Sequence, residues 1–377
     1  MKIWMVCYPN FWGSGIVASN LWLELSKRWH DIHFISYKKP VRLENIYSDT
    51  IHYHHVDIYN YPLFEYPLYE SALVSAIVNI VKKEELDILH VHYAIPHASA
   101  AYMAKTILQD EWIYLPFVTT LHGTDISLVG KDKVFKPTIT FALNHADAIT
   151  SVSHSLKNDT YKYFDVTKDI ITIPNFIDAQ EYSFSSSFKR SNFAKENERL
   201  LIHVSNFRPV KMIPDVIKIF DVVQKKLPAQ LIMIGDGPHR LAAEKLCKKL
   251  NIQDRVHFLG LQTNPKEYMQ ISDLLLLPSQ SEQCSLSLLE GFACKVPAVT
   301  TNTWWTPELN IHGYSWYVAD MGDVLSMAQY ALDILQDEWI LALFKTQAYK
   351  QSDKFLSQNI IPLYEKIYTD LLSNQVP

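Results

Sequence analysis

Short apolar runs rich in β-branched residues alternate with helical patterns along the chain, and this alternation constrains the fold more than any other feature. In the first half, strands are predicted at residues 3–7, 32–36, 51–56, 88–92, 117–121 and 148–152. Between them lie stretches whose apolar residues recur every three or four positions, among them residues 16–29 and 69–84. Strands that alternate with helices predict a parallel sheet covered by helices on both faces.

The second half of the chain repeats this arrangement, with strands predicted at residues 200–204, 230–234, 256–259, 274–277 and 298–301. A polar, serine-rich stretch after Pro174 separates the halves and indicates a linker. A length of 377 residues also suits two domains better than one core. We therefore predict two Rossmann-like, doubly wound α/β domains at residues 1–175 and 176–354, which face a central cleft. An amphipathic helix at about residues 355–377 is expected to return to the first domain.

Composition and charge exclude several classes of protein. The chain has 35 Lys and Arg against 40 Asp and Glu, so its formal net charge of -5 gives no overall attraction to nucleic acid. No apolar run approaches the roughly 18 residues of a membrane-spanning helix, and the first residues do not resemble a signal peptide. The four cysteines lack a CxxC or zinc-ligand spacing, which favours reduced thiols. We expect a cytoplasmic protein without a transmembrane segment.

The histidines do not form a recognisable metal motif. His90 and His92 alternate on a predicted strand, and His52, His54 and His55 cluster on another. No carboxylate or cysteine stands at a convincing ligand spacing from them. We therefore expect no metal site.

Two turns after predicted strands could bind phosphate groups. Gly13-Ser14-Gly15 opens a predicted helix, where backbone amides and the positive helix end can approach an anion. Arg208 and Lys211 follow the first strand of the second half, where two cations could neutralise a departing diphosphate. Taken alone, the first pattern fits a plain tight turn equally well, and the second fits two solvated charges better.

Two glutamates flank the start of another predicted helix. Glu282 lies in the loop after the strand DLLLLP, and Glu290 lies on the helix that follows. Eight residues at about 1.5 Å each separate the carboxylates by roughly 12 Å at most. This span suits two hydroxyl-bearing rings joined by a diphosphate, although two surface charges are the simpler interpretation of the pair by itself.

Together these motifs resemble a known family. Glu282, seven intervening residues and Glu290, followed by GFACKVP and Pro307-Glu308, are similar to the donor motif of retaining GT-B glycosyltransferases of family 4. Arg208 with Lys211 and the turn Gly235-Asp236-Gly237-Pro238 match in order and spacing, so that the resemblance covers nearly the whole chain. It implies a UDP-sugar donor, with the diphosphate on Arg208 and Lys211, the ribose on Glu290 and the sugar hydroxyls on Glu282.

The N-terminal motifs GSGI, HVHYAIPHA, TTLHGTDI and PNFID restrict the resemblance to a subset of this family. They are similar to family members that transfer N-acetylglucosamine from UDP-N-acetylglucosamine to L-malate, the first step of bacillithiol biosynthesis. The resemblance implies that no cofactor is needed, that Gly13 and Gly15 approach the phosphates and that His122 lies beside the sugar. Acceptor carboxylates are predicted to bind the hydroxyl groups of Ser14, Tyr93 and Thr120.

Several alternatives stay open at this point. The acceptor could be a lipid-linked or polysaccharide sugar. The chain could also be a UDP-sugar-binding homologue with impaired turnover, because bulkier residues stand where the family has glycine. These residues are Trp12, Trp29, Ser285, Trp304 and Trp305. A nicotinamide-dependent oxidoreductase is a further class to consider, but the glutamate pair would have no role in such an enzyme. The sequence is compatible with a monomer and with a homo-oligomer.

Overall fold

A computed structural model describes residues 1–9, 13–40, 48–58, 63, 65–182, 187–303, 305, 308 and 312–373. The chain divides into two compact units, Met1–Asn175 with Gln358–Pro377, and Phe176–Ser357. Each unit contains one parallel β-sheet with helices around it. The predicted α/β class with two Rossmann-like sheets is confirmed.

The sheet of the first unit has the strand order β3-β2-β1-β4-β5-β6-β7. Its strands are β1 (Lys2–Val6), β2 (Asp31–Ser36), β3 (Ile51–His55), β4 (Ile88–His92), β5 (Phe117–Leu121), β6 (Ala148–Ser151) and β7 (Ile170–Thr172). The helices are α1 (Ser14–Lys27), α2 (Tyr69–Glu84), α3 (Ser99–Gln109), α4 (Lys136–His145) and α5 (His154–Tyr163). Strand order reverses between β1 and β4, and ligands of open α/β sheets bind at such a switch point.

The sheet of the second unit has the order β10-β9-β8-β11-β12-β13. Its strands are β8 (Arg199–Val204), β9 (Ala229–Ile234), β10 (Val256–Gly260), β11 (Leu274–Leu277), β12 (Ala298–Thr301) and β13 (Trp316–Ala319). The helices are α6 (Ile213–Gln224), α7 (Arg240–Leu250), α8 (Pro265–Gln270), α9 (Leu286–Ala293), α10 (Val324–Leu335) and α11 (Glu338–Ser352). Strand β11 consists of four buried leucines, as expected for a central strand covered on both faces.

The last helix, α12 (Ser357–Ser373), packs on the first unit, to which residues from Gln358 onwards belong. The buried Tyr368 hydroxyl lies 2.7 Å from His90 Nδ1. Glu365 accepts a hydrogen bond from Arg28 at 2.9 Å and lies 2.9 Å from His30 Nε2.

Among the helices that the structure describes, none is long and apolar enough to cross a membrane. No disulfide links the four cysteines.

Helix α1 ends two residues earlier than the sequence pattern predicts, because Trp29 leaves the helix in the left-handed conformation with φ 67°. Its N–H donates to the Ser26 carbonyl at 3.1 Å, and the His30 N–H donates to the Leu25 carbonyl at 3.2 Å. This pair of hydrogen bonds is the Schellman motif, in which glycine is the usual residue at the position of Trp29. The indole is 88% exposed, so that little packing offsets the strained backbone.

We expect Trp29→Gly to raise the free energy of unfolding by about 0.5–1 kcal/mol, because relief of the left-handed strain exceeds the entropy that glycine adds to the unfolded chain. Urea denaturation measures the change. Trp29→Ala is the matched control, since it removes the indole but keeps the Cβ, and it should give no gain. Equal gains in both variants would show that the indole, not the backbone, is the cause.

Candidate active site

Two of the predicted donor residues form an ion pair at one edge of the second sheet. Strands β8 and β11 are parallel neighbours, so the loops that follow them leave from the same edge. Lys211 ends the short 3-10 turn after β8, and Glu282 lies in the loop after β11. Lys211 Nζ lies 2.5 Å from Glu282 Oε1, and the two side chains are only 18% and 12% exposed. Arg208, at the start of the same turn, is exposed.

The Glu282 loop is fixed by further hydrogen bonds. Ser279 Oγ donates to Glu282 Oε1 at 2.8 Å, and the Trp305 N–H donates to the Glu282 carbonyl at 3.3 Å. The Gln280 N–H donates to the Val210 carbonyl at 2.8 Å, which joins this loop to the loop after β8. The ion pair is therefore held from both sides, by side-chain and by backbone contacts.

Gly235 allows a third loop to lie against the loop after β8. Its φ is 130°, and a Cβ there would lie 1.8 Å from the Ser205 carbonyl oxygen. In the same turn, the Asp236 carbonyl accepts from the Phe207 N–H at 2.9 Å. Only glycine fits this approach without moving the backbone. Gly235 thus supports the segment that carries Arg208 and Lys211.

His203 is a supporting residue that the sequence analysis did not single out. It is fully buried on β8, with Nδ1 2.7 Å from the Leu276 carbonyl and Nε2 2.7 Å from Ser205 Oγ. Burial lowers the pKa of His203 to about 4, so the ring is neutral at pH 7. It joins β8 to β11 immediately beneath the ion pair. Its place near the end of a predicted strand, five residues before Arg208, was the signal available in the sequence.

Helix α9 begins next to Glu282 and carries Glu290 in its second turn, where the side chain is half-buried. Ser285 precedes the helix with φ -70° and ψ 113°, an ordinary extended conformation that a serine adopts without strain. Trp305 is 2% exposed, and its ring contacts Phe355 edge-on at 5.8 Å. Ser285 thus replaces a family glycine without backbone strain, and the Trp305 side chain is packed in the interior. Trp12, Trp304 and Pro307 lie outside the described residues.

In the first unit, the structure brings together four of the other predicted residues at the switch point between β1 and β4. Gly13 has φ 57° and immediately precedes α1, whose first residues are Ser14 and Gly15. The Ser14 hydroxyl is hydrogen-bonded to the hydroxyl of Tyr93, which follows β4. Tyr93 is 8% exposed and its N–H donates to the Thr120 carbonyl at 2.9 Å. A pair of neutral hydroxyl groups thus lies beside the N-terminus of α1.

The Thr120 hydroxyl has a different environment. It is fully buried, 2.6 Å from His90 Nε2 and 2.6 Å from Thr150 Oγ1. His90 in turn contacts Tyr368 of α12. The hydroxyl is therefore already bonded within the protein, and Thr120 positions His90 and the end of β5. A direct contact with an acceptor carboxylate would require these hydrogen bonds to break.

His122 follows β5 and is half-buried. It contacts His92, the last residue of β4, and Tyr93, the residue after it. Its Nε2 lies 2.8 Å from Nδ1 of His92, and its ring lies 5.4 Å from that of Tyr93. Burial lowers the pKa of His122 to about 3 and lowers that of His92 as well. Both imidazoles are neutral at pH 7, so they supply no positive charge to an anionic substrate.

Asp125 is a positioning residue whose importance was not recognised in the sequence, although TTLHGTDI contains it. Its carboxylate accepts from the Ala94 N–H at 2.9 Å and from the Gly123 N–H at 3.1 Å. These contacts join the turn after β5 to the turn after β4, and burial raises the pKa of Asp125 to about 6. His122 and Tyr93 therefore keep a fixed separation. An aspartate four residues after a strand end was the available signal.

Comparisons with known proteins agree with this description. Residues 13–181 match the model of Glycosyltransferase Family 4, and residues 185–351 match that of Glycosyl transferases group 1. The fold is similar to sucrose-phosphate synthase from Thermosynechococcus elongatus, with TM-score 0.81 and 15% identity over 100% of both chains. It is also similar to Anabaena HepE in complex with UDP-glucose, with TM-score 0.79 and 20% identity over 99% of this chain and 100% of that one. Fold and family models together define a GT-B glycosyltransferase.

A full-length relative narrows the assignment. N-acetyl-alpha-D-glucosaminyl L-malate synthase of Bacillus anthracis is 41% identical over 375 residues, which cover 99% of this chain and 97% of the relative. The chain belongs to glycosyltransferase family 4, as the resemblance predicted.

The buried histidines predict loss of stability in acid. Burial lowers the pKa of His90 to about 3, whereas an unfolded histidine titrates near ~6.5. Between these values the unfolded chain binds a proton that the folded chain does not, so the free energy of unfolding falls as pH falls from ~6.5 towards 3. One such histidine contributes up to ~1.4 kcal/mol per pH unit.

We expect His90→Gln to show a shallower fall in stability between pH 7 and pH 5 than the wild type, measured by urea denaturation at each pH. His55→Gln, which changes a half-exposed histidine of the same unit, should keep the wild-type slope. An unchanged slope in His90→Gln would contradict the inference.

Proposed function

We propose that this glycosyltransferase moves N-acetylglucosamine from UDP-N-acetylglucosamine to the hydroxyl group of L-malate, with retention at the anomeric carbon. The observation that carries the proposal is the 41% identity to the Bacillus anthracis synthase over 99% of this chain. The N-terminal motifs that first suggested malate lie within that match. Neither nucleic acid nor a membrane-bound acceptor is part of the proposed reaction.

On the donor side, Arg208 and Lys211 are proposed to bind the diphosphate. An ammonium group has three N–H donors, and Lys211 uses one on Glu282 Oε1, which leaves two for phosphate oxygens. The two known contacts of the Glu282 carboxylate both use Oε1, so we assign Oε2 to a sugar hydroxyl. Glu290 is assigned to the ribose. The contact of Gly13 and Gly15 with the phosphates remains a prediction.

The chemistry as proposed uses no covalent enzyme intermediate and no cofactor. The malate hydroxyl attacks the anomeric carbon on the face from which UDP leaves, the bond from that carbon to the phosphate oxygen breaks, and the departing diphosphate takes the hydroxyl proton. Lys211 and Arg208 stabilise the negative charge that develops on the leaving group. The backbone carbonyl of His122 is proposed to lie near the anomeric carbon, which becomes positive. Positioning supplies the remaining catalysis.

On the acceptor side, Ser14 and Tyr93 are proposed to bind a malate carboxylate, with their mutual hydrogen bond exchanged for bonds to the carboxylate because each hydroxyl has a single donor hydrogen. Their hydroxyl groups already contact each other, and Gly13 leaves the first turn of α1 without a side-chain cap. Uncapped amides and the positive helix end favour a carboxylate there. Thr120 is proposed to act indirectly, through His90. The absence of disulfides among the four cysteines suits a reducing compartment, and we place the reaction in the cytoplasm.

The decisive test incubates the protein with a mixture of UDP-, GDP- and ADP-sugars and of small hydroxy acids, followed by mass spectrometry of the products. We expect one glycoside, N-acetylglucosaminyl malate, with release of UDP. Turnover only with a glycan or lipid-linked acceptor would reject malate. Tight binding of UDP-N-acetylglucosamine without any transfer would reject the enzymatic assignment.

The same assay tests the acceptor site. Tyr93→Phe removes one hydroxyl donor and should reduce kcat/KM for malate by roughly 10- to 100-fold, since an unpaired carboxylate costs ~1–3 kcal/mol. Tyr66→Phe, at a tyrosine that is 74% exposed, is the matched control and should leave the rate unchanged.

A further inference from the structure

Three potential metal ligands meet on strands β2 and β3 of the first unit. Asp31 and His33 are two residues apart on β2, so their side chains lie on the same face of the sheet. His52 on the edge strand β3 is the register partner of His33. One carboxylate oxygen and two imidazole nitrogens from these residues lie within 4.8 Å of one another. The sequence spacing of the histidines gave no convincing carboxylate ligand, because strand pairing brings Asp31 and His52 together.

The spacing of the three atoms suits a single small cation. Asp31 Oδ1 lies 2.9 Å from His52 Nε2 and 3.7 Å from His33 Nε2. Ligands about 2.0–2.1 Å from a tetrahedral zinc ion are roughly 3.3 Å from each other. The two observed distances lie on either side of that value. His52 is 42% exposed and can adjust its side chain.

The two most buried of these atoms have no hydrogen-bond partner. His33 is 3% exposed, and its Nε2 makes no hydrogen bond within the part of the chain that the structure describes, while Asp31 Oδ1 has the 2.9 Å contact with His52 Nε2 but no contact with hydrogen-bond geometry. A buried polar atom without a partner costs about 1–3 kcal/mol, so such atoms normally have a ligand, a water or a protein partner. Here an imidazole nitrogen and a carboxylate oxygen without hydrogen bonds lie 3.7 Å apart.

The surroundings of His33 favour its role as a ligand. Its other ring nitrogen, Nδ1, lies 2.9 Å from His54 Nε2, and the Trp4 ring stacks on it at 5.0 Å. A hydrogen bond to the second nitrogen fixes the ring and the tautomer in most metal-binding histidines. Glu84 adds negative charge near both histidines, partly offset by the adjacent Lys83.

We propose that Asp31, His33 and His52 bind one divalent transition-metal ion of the zinc class, with water as the fourth ligand. Two imidazoles and one carboxylate are a typical ligand set for such an ion. The site lies near the beginning of β2 and β3, whereas the candidate acceptor residues follow the carboxyl ends of β1, β4 and β5. Its role is structural, since it fastens the edge strand β3 to β2.

The test uses full-length protein without an affinity tag, treated with EDTA, dialysed and titrated with Co²⁺. We expect saturable binding of one Co²⁺ per chain with the visible absorption of a tetrahedral site, and displacement of Co²⁺ by Zn²⁺. Zn²⁺ should also raise the midpoint of thermal unfolding. His52→Gln and Asp31→Asn should each weaken Co²⁺ binding at least tenfold. His55→Gln, a half-exposed histidine on the same strand, should bind as the wild type does.

The outcome separates this proposal from the proposed function. No saturable Co²⁺ binding by the wild type, or equal affinity in wild type and His52→Gln, would overturn the metal site whatever the transferase assay shows. Transfer activity should survive EDTA treatment, and its complete loss would contradict a purely structural role. The wild-type titration alone decides the first point, even if a variant fails to fold.

Discussion

The parallel pairing of β8 with β11 is the constraint on which the proposed donor site depends. Because these strands are neighbours, the loops that carry Lys211 and Glu282 leave the sheet side by side and form a largely buried ion pair. Burial of such a pair contributes little to stability, since desolvation offsets the Coulomb attraction. It does fix the position of one ammonium and one carboxylate. A charged, hydroxyl-rich ligand could use both groups with little rearrangement.

The two units differ in the chemistry that they offer. The second presents cations and carboxylates on loops braced by Gly235 and His203. The first presents neutral hydroxyl and imidazole groups, held by a buried network that runs from Tyr368 through His90 to Thr120. This difference fits the proposed reaction, in which the leaving group carries most of the charge and the acceptor needs orientation more than activation.

Most strands, and the meeting of Lys211 with Glu282 at one edge of the second sheet, could be predicted from the sequence, because buried strands have strong apolar patterns and both residues follow predicted strands. Strands β4, β5, β11 and β12 have the predicted bounds. The short strand β13 was missed, since four residues carry little pattern, and β7 was visible only as a strand-like run before Pro174. Local patterns also could not show that cross-strand pairing places Asp31 beside His52, or that Thr120 is enclosed by His90 and Thr150. Such contacts depend on register and burial, which only the folded chain defines.

Parallel measurement of transfer and thermal stability in Lys211→Ala and Glu282→Ala tests the central claim most directly. Loss of a group that stabilises the leaving charge or holds the sugar should reduce kcat/KM by roughly 10²- to 10³-fold. Each variant also leaves one charge of the pair unpaired and lowers the unfolding midpoint, but the fraction of chain unfolded at the assay temperature should account for only a small part of the lost transfer. Lys218→Ala, which removes a half-exposed lysine paired with Asp215 in the same unit, should change neither quantity appreciably. Transfer that persists in both variants, or falls only in step with unfolding, would contradict the assignment of this ion pair to the donor.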